Sequence, residues 1–437
     1  MTQSNPGIEQ LPQGESRRKG RVRNFFAELG PGLITGAADD DPSGISTYSV
    51  TGASFGYTPL WTAPFSFPLM AAVQLMCARL GLVTGRGLAG VVRLHYPRWV
   101  LWVSCSLLIV ANVFNIGADL GGMAEATEMM TRVKSYYWTP IYAIVIVLLL
   151  FFSSYRRIVR VLKWLTLVLF AYVAAAFLAR PNWLSALSAT FVPHVQWSSA
   201  FLATFVGILG TTISPYLFFW QATQEVEDER AQGRGTVGER EGATDKELRV
   251  ARRDVIIGMF FSNLVMYFII LTTAATLHTH GLTNIATARQ AAEALRPVAG
   301  DGAYLLFTLG LIGTGFLGIP VLVGSAAYAV AEAQMWQHGS LEDRPRLAPK
   351  FYAIVAAAMV LGLALDFVGF NAVKMLFYSA VLNGMLAPPL IVLVVLLTSN
   401  SKIMGSRASS RPLRYLGWAT AAIMTLAAIG MFATMGR

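Results

Sequence analysis

The sequence predicts an all-α membrane protein, and three observations carry the prediction. Of 437 residues, 55% are hydrophobic and only 13% are charged. The apolar residues gather in runs of about 18 or more, the length that carries a helix across roughly 30 Å of hydrocarbon. The basic residues fall between the runs, so the formal charge of +10 reports topology rather than nucleic-acid binding. The partner this composition demands is a lipid bilayer, with no nucleic acid expected.

Taken in order, the runs predict eleven spans, at 29–55, 60–82, 100–130, 138–153, 162–178, 200–223, 255–277, 303–331, 351–367, 372–397 and 413–432. Residues 1–24 are polar, with Pro, Gly and the basic group Arg17, Arg18, Lys19, Arg21 and Arg23. No short apolar core with a cleavage site follows, so this stretch reads as a disordered cytoplasmic tail, not a cleaved signal. A cytoplasmic N-terminus puts most Lys and Arg on the inner side and the C-terminus outside, in the inner (plasma) membrane of a prokaryote. The core is then 25–405, with a charged cytoplasmic loop at 225–253 too short to fold alone, and 406–437 holds the eleventh helix and the external end. Cys77 and Cys105 fall within spans, where a free thiol acts as a small apolar group, so no disulfide is expected.

Two spans carry helix breakers. The first contains Asp39, Asp40 and Asp41 followed by Pro42, Ser43 and Gly44. Charge at membrane depth costs at least ~2.5 kcal/mol per group and survives where it faces a cavity, a partner or an ion. The sixth contains Gly207, Gly210, Thr211 and Thr212, then Ser214 and Pro215. Breaks five helices apart mark inverted-repeat transporters, in which unwound backbone exposes carbonyls and helix ends to an ion at the midplane. Five plus five helices with one appended fits that plan. Asp41 has two roles open to it, capping the half-helix after Pro42 and holding a cation.

Other classes fit less well. A channel needs a symmetric pore or a repeated filter, and an enzyme needs a second acidic cluster, a nucleophile or a histidine base that the spans do not offer. No catalytic residue and no cofactor is therefore expected. Gly85-Arg86-Gly87-Leu88-Ala89-Gly90 matches a dinucleotide pattern without the preceding strand that such a site requires. His278 and His280 lack acidic or thiol company and read as a surface turn. Gly117 and Gly121 form a small-xxx-small step for close helix contact.

Several segments resemble the Nramp family of divalent-metal transporters. Gly30-Pro31-Gly32-Leu33-Ile34-Thr35-Gly36, running on to Asp41-Pro42-Ser43-Gly44, is similar to that family's first helix with its Asp-Pro-Gly-Asn motif. Ala78 to Arg86 resembles the loop after the second helix, and Gly210-Thr211-Thr212-Ile213-Ser214-Pro215-Tyr216 the sixth-helix Gly-Ala-Thr-Val-Met-Pro-His. Asn263 with Met266, and Leu397 to Gly405, match the seventh helix and the end of the tenth. The resemblance covers about 25–405 and implies a LeuT-type fold with broken helices 1 and 6.

It also implies a metal site at Asp41, Gly44, Thr211 and Ser214, with Asp39, Asp40 and Asn383 as further candidates. Asn383 lies one turn beyond Ala380, which stands where the family has Gln. Tyr216, Asp119, Asn263, Gln221 and Glu225 are candidates for the pathway. Ser214 replaces the family's soft Met, and Gly44 its Asn. A roomier, all-oxygen site suits partly hydrated Mg²⁺, so the expected branch is the Nramp-related magnesium transporters, with Mn²⁺ also accepted. Tyr216 stands for the family's His and Gly122 for its Glu, while Asp119 retains its Asp. A tyrosine does not titrate near neutrality, so transport without obligatory protons is expected, with Glu125 and Glu128 as a second acidic route. The alternatives are a proton-coupled Mn²⁺ and Fe²⁺ transporter of the ordinary Nramp type, and a LeuT-type carrier of another solute. A monomer is the expected assembly.

Overall fold

The computed structural model describes residues 30–154, 157, 165–368 and 371–435. The expected tail at 1–24 and the start of the fifth span lie outside the described residues. Among the described residues every regular element is helical, as an apolar solvent requires, because a helix satisfies its own N–H and C=O groups. The helices of eight or more residues begin with α1 (Pro31–Asp39), α2 (Pro42–Phe55), α3 (Thr62–Thr84), α4 (Leu88–His95) and α5 (Arg98–Thr131). Next come α6 (Ser135–Phe152), α7 (Ala171–Leu178), α8 (Trp183–Phe191), α9 (Ser199–Thr212) and α10 (Pro215–Ala231). The last are α11 (Asp245–Thr276), α12 (Ala303–Gln334), α13 (Pro349–Asp366), α14 (Ala372–Ser399) and α15 (Arg411–Thr434).

Among the described residues, 9 segments are long and apolar enough to cross a membrane. The other two expected spans differ: the first is divided into α1 and α2, and the described part of the fifth gives a 3-10 turn at Leu165–Phe170 followed by α7. Large side chains such as Trp99, Phe152, Leu184, Trp197 and Leu426 are exposed, as a lipid-facing surface allows.

The polar connection after the sixth span is shorter than the sequence suggests. It occupies 232–244 instead of 225–253, because α10 runs on to Ala231 and α11 starts at Asp245. The charges that suggested a solvated loop are matched within the protein. Glu227 accepts from Arg230 and Ser340, and Glu229 from Arg234, each at 2.8–2.9 Å. The start of α11 is fixed by a capping box, in which Thr244 and Glu247 each satisfy the other's backbone N–H.

The interior is built on close helix contacts. α5 packs against α12, α13 and α14, and α11 packs against α1, α2 and α3. Gly36 of α1 lies on the backbone of Gly258 of α11, so closely that a Cβ would collide with the Gly258 carbonyl. Backbone gives little, so Gly36→Val should separate α1 from α11. We expect a cost at or above the usual ~1–3 kcal/mol of overpacking, seen as a lowered melting temperature of the purified protein; an unchanged one would show that α1 shifts freely.

Candidate functional site

The first break follows from the chemistry of its residues. Pro42 takes the first position of α2, where a missing N–H costs nothing and φ is already helical. Asp41 is the N-cap, accepting from the Gly44 N–H at 2.9 Å and the Ser43 hydroxyl at 2.6 Å on Oδ1. Its Oδ2 accepts from the Tyr216 hydroxyl at 3.2 Å, and that hydroxyl also lies 3.1 Å from the Ala38 carbonyl. Tyr216 thus ties the carboxylate and the frayed end of α1 to the second broken span.

Asp39 and Asp40 are buried beside it. Ser262 of α11 donates to Asp39 Oδ2 at 2.6 Å and approaches Asp40 Oδ1 at 3.4 Å, while Asp39 Oδ1 has no partner. Gly44 has room for a methyl group in ordinary contact. A Cβ there would meet the Asp39 carbonyl and the Tyr48 ring at 3.4 Å each, with Asp41 Oδ1 at 3.7 Å.

In the second break α9 ends at Thr212 and α10 begins at Pro215, again with proline at the first position. Ser214 donates to the carbonyls of Gly210 and Thr211 at 2.8 Å each, satisfying orphan acceptors at the end of α9. Thr211 bonds back to Ile208 O at 3.0 Å and reaches the Tyr48 hydroxyl at 3.1 Å. Both hydroxyls donate to carbonyls of α9. Ser214→Ala should therefore keep transport within about tenfold of wild type, the worth of one neutral hydrogen bond at ~1 kcal/mol. A deeper loss in flux assays would make the hydroxyl a ligand.

Asp119 of α5 adjoins this centre. A Cβ on Gly318 would stand 3.1 Å from Asp41 Cβ and 3.9 Å from Asp119 Oδ2. Asp119 is buried and neither carboxylate oxygen completes a hydrogen bond, although the Ser43 amide approaches it. One turn earlier Asn115 donates to Asn383 Oδ1 of α14 at 3.1 Å, leaving Asn383 Nδ2 and Asn115 Oδ1 unmatched. The structure therefore brings Asp39, Asp40, Asp41, Gly44, Tyr216 and Asp119 together, with Asn383 reached through Asn115.

Other candidates sit apart. Asn263 binds Ser66 Oγ at 3.2 Å and Met70 Sδ at 3.0 Å, a contact between α11 and α3. Gln221 and Glu225 form a chain leading away: Thr35 donates to Gln221 at 2.6 Å, and Gln221 to Glu225 at 2.9 Å. Glu225 opens on a cavity of about 490 Å³ that Asp228, Glu229, Glu247 and Asp254 also line. Glu125 accepts from the Ala288 N–H at 2.9 Å, and Glu128 from that of Ser135 at 2.6 Å, so both close helix and loop contacts. His278 and His280 face the carbonyls of Ala53 and Thr276.

The sequence missed Ser262, Asn115 and Asp254. Asp254 accepts from the Gly32 N–H at 2.5 Å and so caps α1 from 222 residues away, where no local pattern points to it. Ser262 and Asn115 leave a fainter signal, a polar residue within an otherwise apolar span.

Interrupted helices that converge on a buried carboxylate, within a bundle of long apolar helices, define a membrane transporter rather than an enzyme. Residues 32–434 match the natural resistance-associated macrophage protein-like model, and the chain belongs to the Nramp family. It is 28% identical over 424 residues to the divalent metal cation transporter MntH of Klebsiella pneumoniae, covering 95% of each chain. It is 29% identical over 416 residues to the MntH of Mesorhizobium japonicum, covering 92% of this chain and 87% of that one. Among solved structures it resembles the Eremococcus coleocola manganese transporter in complex with an aromatic bis-isothiourea compound. There the TM-score is 0.74 with 21% identity, over 97% of this chain and 89% of that one. The fold also resembles MhsT in complex with L-phenylalanine, at a TM-score of 0.57 and 10% identity over 92% and 98% of the two chains.

These relatives overturn the expectation of a magnesium carrier. The two MntH proteins and the Eremococcus coleocola transporter are named for divalent metal and manganese, and none of the three points to a magnesium branch. The physical reason lies at Ser214. Its hydroxyl proton goes to the carbonyls of Gly210 and Thr211, and an oxygen left facing an ion suits Mn²⁺ as well as Mg²⁺, so a serine here does not select magnesium.

Proposed function

We propose that the chain is a secondary transporter of divalent metal with Mn²⁺ as its cargo, working by alternating access. In this reading eleven spans form two inverted five-helix repeats plus one, the first and sixth are broken, and the N-terminus is cytoplasmic. The observation that supports it most is the Asp41 carboxylate at the first break, bound by Tyr216 from the second. An ion seated there meets carboxylate and carbonyl oxygen, donors that suit Mn²⁺. From there Thr35, Gln221 and Glu225 lead to the acidic cavity at the end of α10.

Proteoliposomes loaded with a metal-sensitive dye test this. Protein-dependent Mn²⁺ entry that saturates and is competed by other divalent transition ions is the expected result. Liposomes that stay impermeable to Mn²⁺ while the protein remains folded and inserted would sink it. A pH dye in the same vesicles reads whether protons accompany the metal.

A further inference from the structure

Away from the breaks, the turn after α3, the end of α10 with the loop beyond it, and the end of α12 enclose a cavity of about 210 Å³. That is far more than the roughly 10–15 Å³ a single water needs. Arg86, Arg230 and Arg240 line it together with Glu227 and Glu332. The glutamates are already engaged. Glu332 accepts from the Gly90 N–H and the Thr223 hydroxyl at 3.0 Å each, and Glu227 from Arg230 and Ser340 at 2.8 Å each.

Arg230 is matched by Glu227, whereas Arg86 and Arg240 are matched by no carboxylate among the described residues. Arg240 is 3% exposed, and its guanidinium donates to the carbonyls of Gly85, Arg234 and Gly235 at 3.3, 2.9 and 2.7 Å. Among the described residues neither Arg240 nor Arg86 forms an ion pair. Burial foremost, then the charge of Arg230, pushes the Arg240 guanidinium down; Glu229 and Glu227 oppose this and Arg86 adds to it. Arginine does not discharge in proteins, so these like charges are held together at a cost that an anion would relieve. The mouth is apolar: Leu94 is 52% and Met335 58% exposed, with Trp336 half-buried between charge and surface.

We propose that this cavity binds the phosphate of an anionic phospholipid, held by the guanidiniums of Arg86, Arg230 and Arg240, with the acyl chains along Leu94, Met335 and Trp336. Guanidinium forks match phosphate oxygens in pairs, and basic pockets between membrane helices take lipid headgroups. A free phosphate ion satisfies the same charges and makes no use of the apolar rim. Because Arg230 is on α10, a bound lipid ties the second half of the broken span to the turn at Arg86. The site is independent of the metal centre, so its failure would leave the transport reading untouched.

The test titrates the full-length protein in detergent with short-chain phosphatidylglycerol, phosphatidylcholine or inorganic phosphate, and reads bound molecules by native mass spectrometry. Wild type should hold one phosphatidylglycerol about tenfold or more tightly than the double variant Arg86→Gln, Arg230→Gln, while phosphatidylcholine binds both alike. Arg86→Lys with Arg230→Lys, which keeps charge without the fork, should fall between. Matching lipid-free melting temperatures establish that the variants are folded. If inorganic phosphate is retained in place of lipid, the anion pocket stands with a free ion as its occupant. Equal phosphatidylglycerol binding by wild type and the glutamine pair overturns the proposal.

Discussion

Asp41→Asn should reduce Mn²⁺ transport by about 100-fold or more while leaving the protein folded. The substitution separates the two roles of this residue. Asparagine is as good an N-cap as aspartate, so the bonds from Gly44 and Ser43 persist and α2 keeps its start. The Tyr216 hydroxyl would face an amide in place of Oδ2 and still has the Ala38 carbonyl. What disappears is the charge. A divalent ion ~4 Å from a carboxylate gains ~8 kcal/mol even at an effective dielectric of ~20; desolvation takes back much of that, and a remainder of ~3 kcal/mol accounts for 100-fold. Flux in proteoliposomes at matched reconstitution, with melting temperature as the control for folding, decides the matter. Wild-type flux in this variant would move the ion to Asp39 or Asp40.

The first break was legible because its chemistry is local. Three acids before Pro42 in an apolar run leave few alternatives to a helix interruption, and Asp41 as N-cap follows from the proline beside it. The partners of those acids were not legible, since Ser262 and Tyr216 come from other helices and a lone hydroxyl in an apolar span carries little signal. Glu225, Glu227 and Glu229 misled in the opposite way. Charge in sequence reads as solvent, whereas Ser340, Arg230 and Arg234 match Glu227 and Glu229 and extend α10 by two turns. The cargo is not legible at residue 214 for a related reason: a serine oxygen suits Mg²⁺ and Mn²⁺ alike, and its proton is directed at the last carbonyls of α9.

Asp119→Asn should raise the melting temperature and lower transport together. Asp119 is fully buried on α5, close to Asp41, with the Ser43 amide approaching it and no cation beside it among the described residues. A buried carboxylate with no cation to pair with costs several kcal/mol when charged, more than a buried neutral amide. Neutral, isosteric asparagine removes the charge without opening a cavity, so the apparent melting temperature should rise by a few degrees, at ~2–4 °C per kcal/mol for a medium-sized domain. A stability cost retained beside a metal-binding carboxylate is the mark of a working group, because intramembrane charge that serves packing finds a partner. Flux should therefore fall by roughly tenfold or more, at ~1.4 kcal/mol per tenfold. Thermal unfolding and Mn²⁺ uptake on one preparation measure both signs at once. A variant that melts lower and transports normally would make Asp119 a structural residue, and would leave Asp41 alone as the charge that draws the ion to the break.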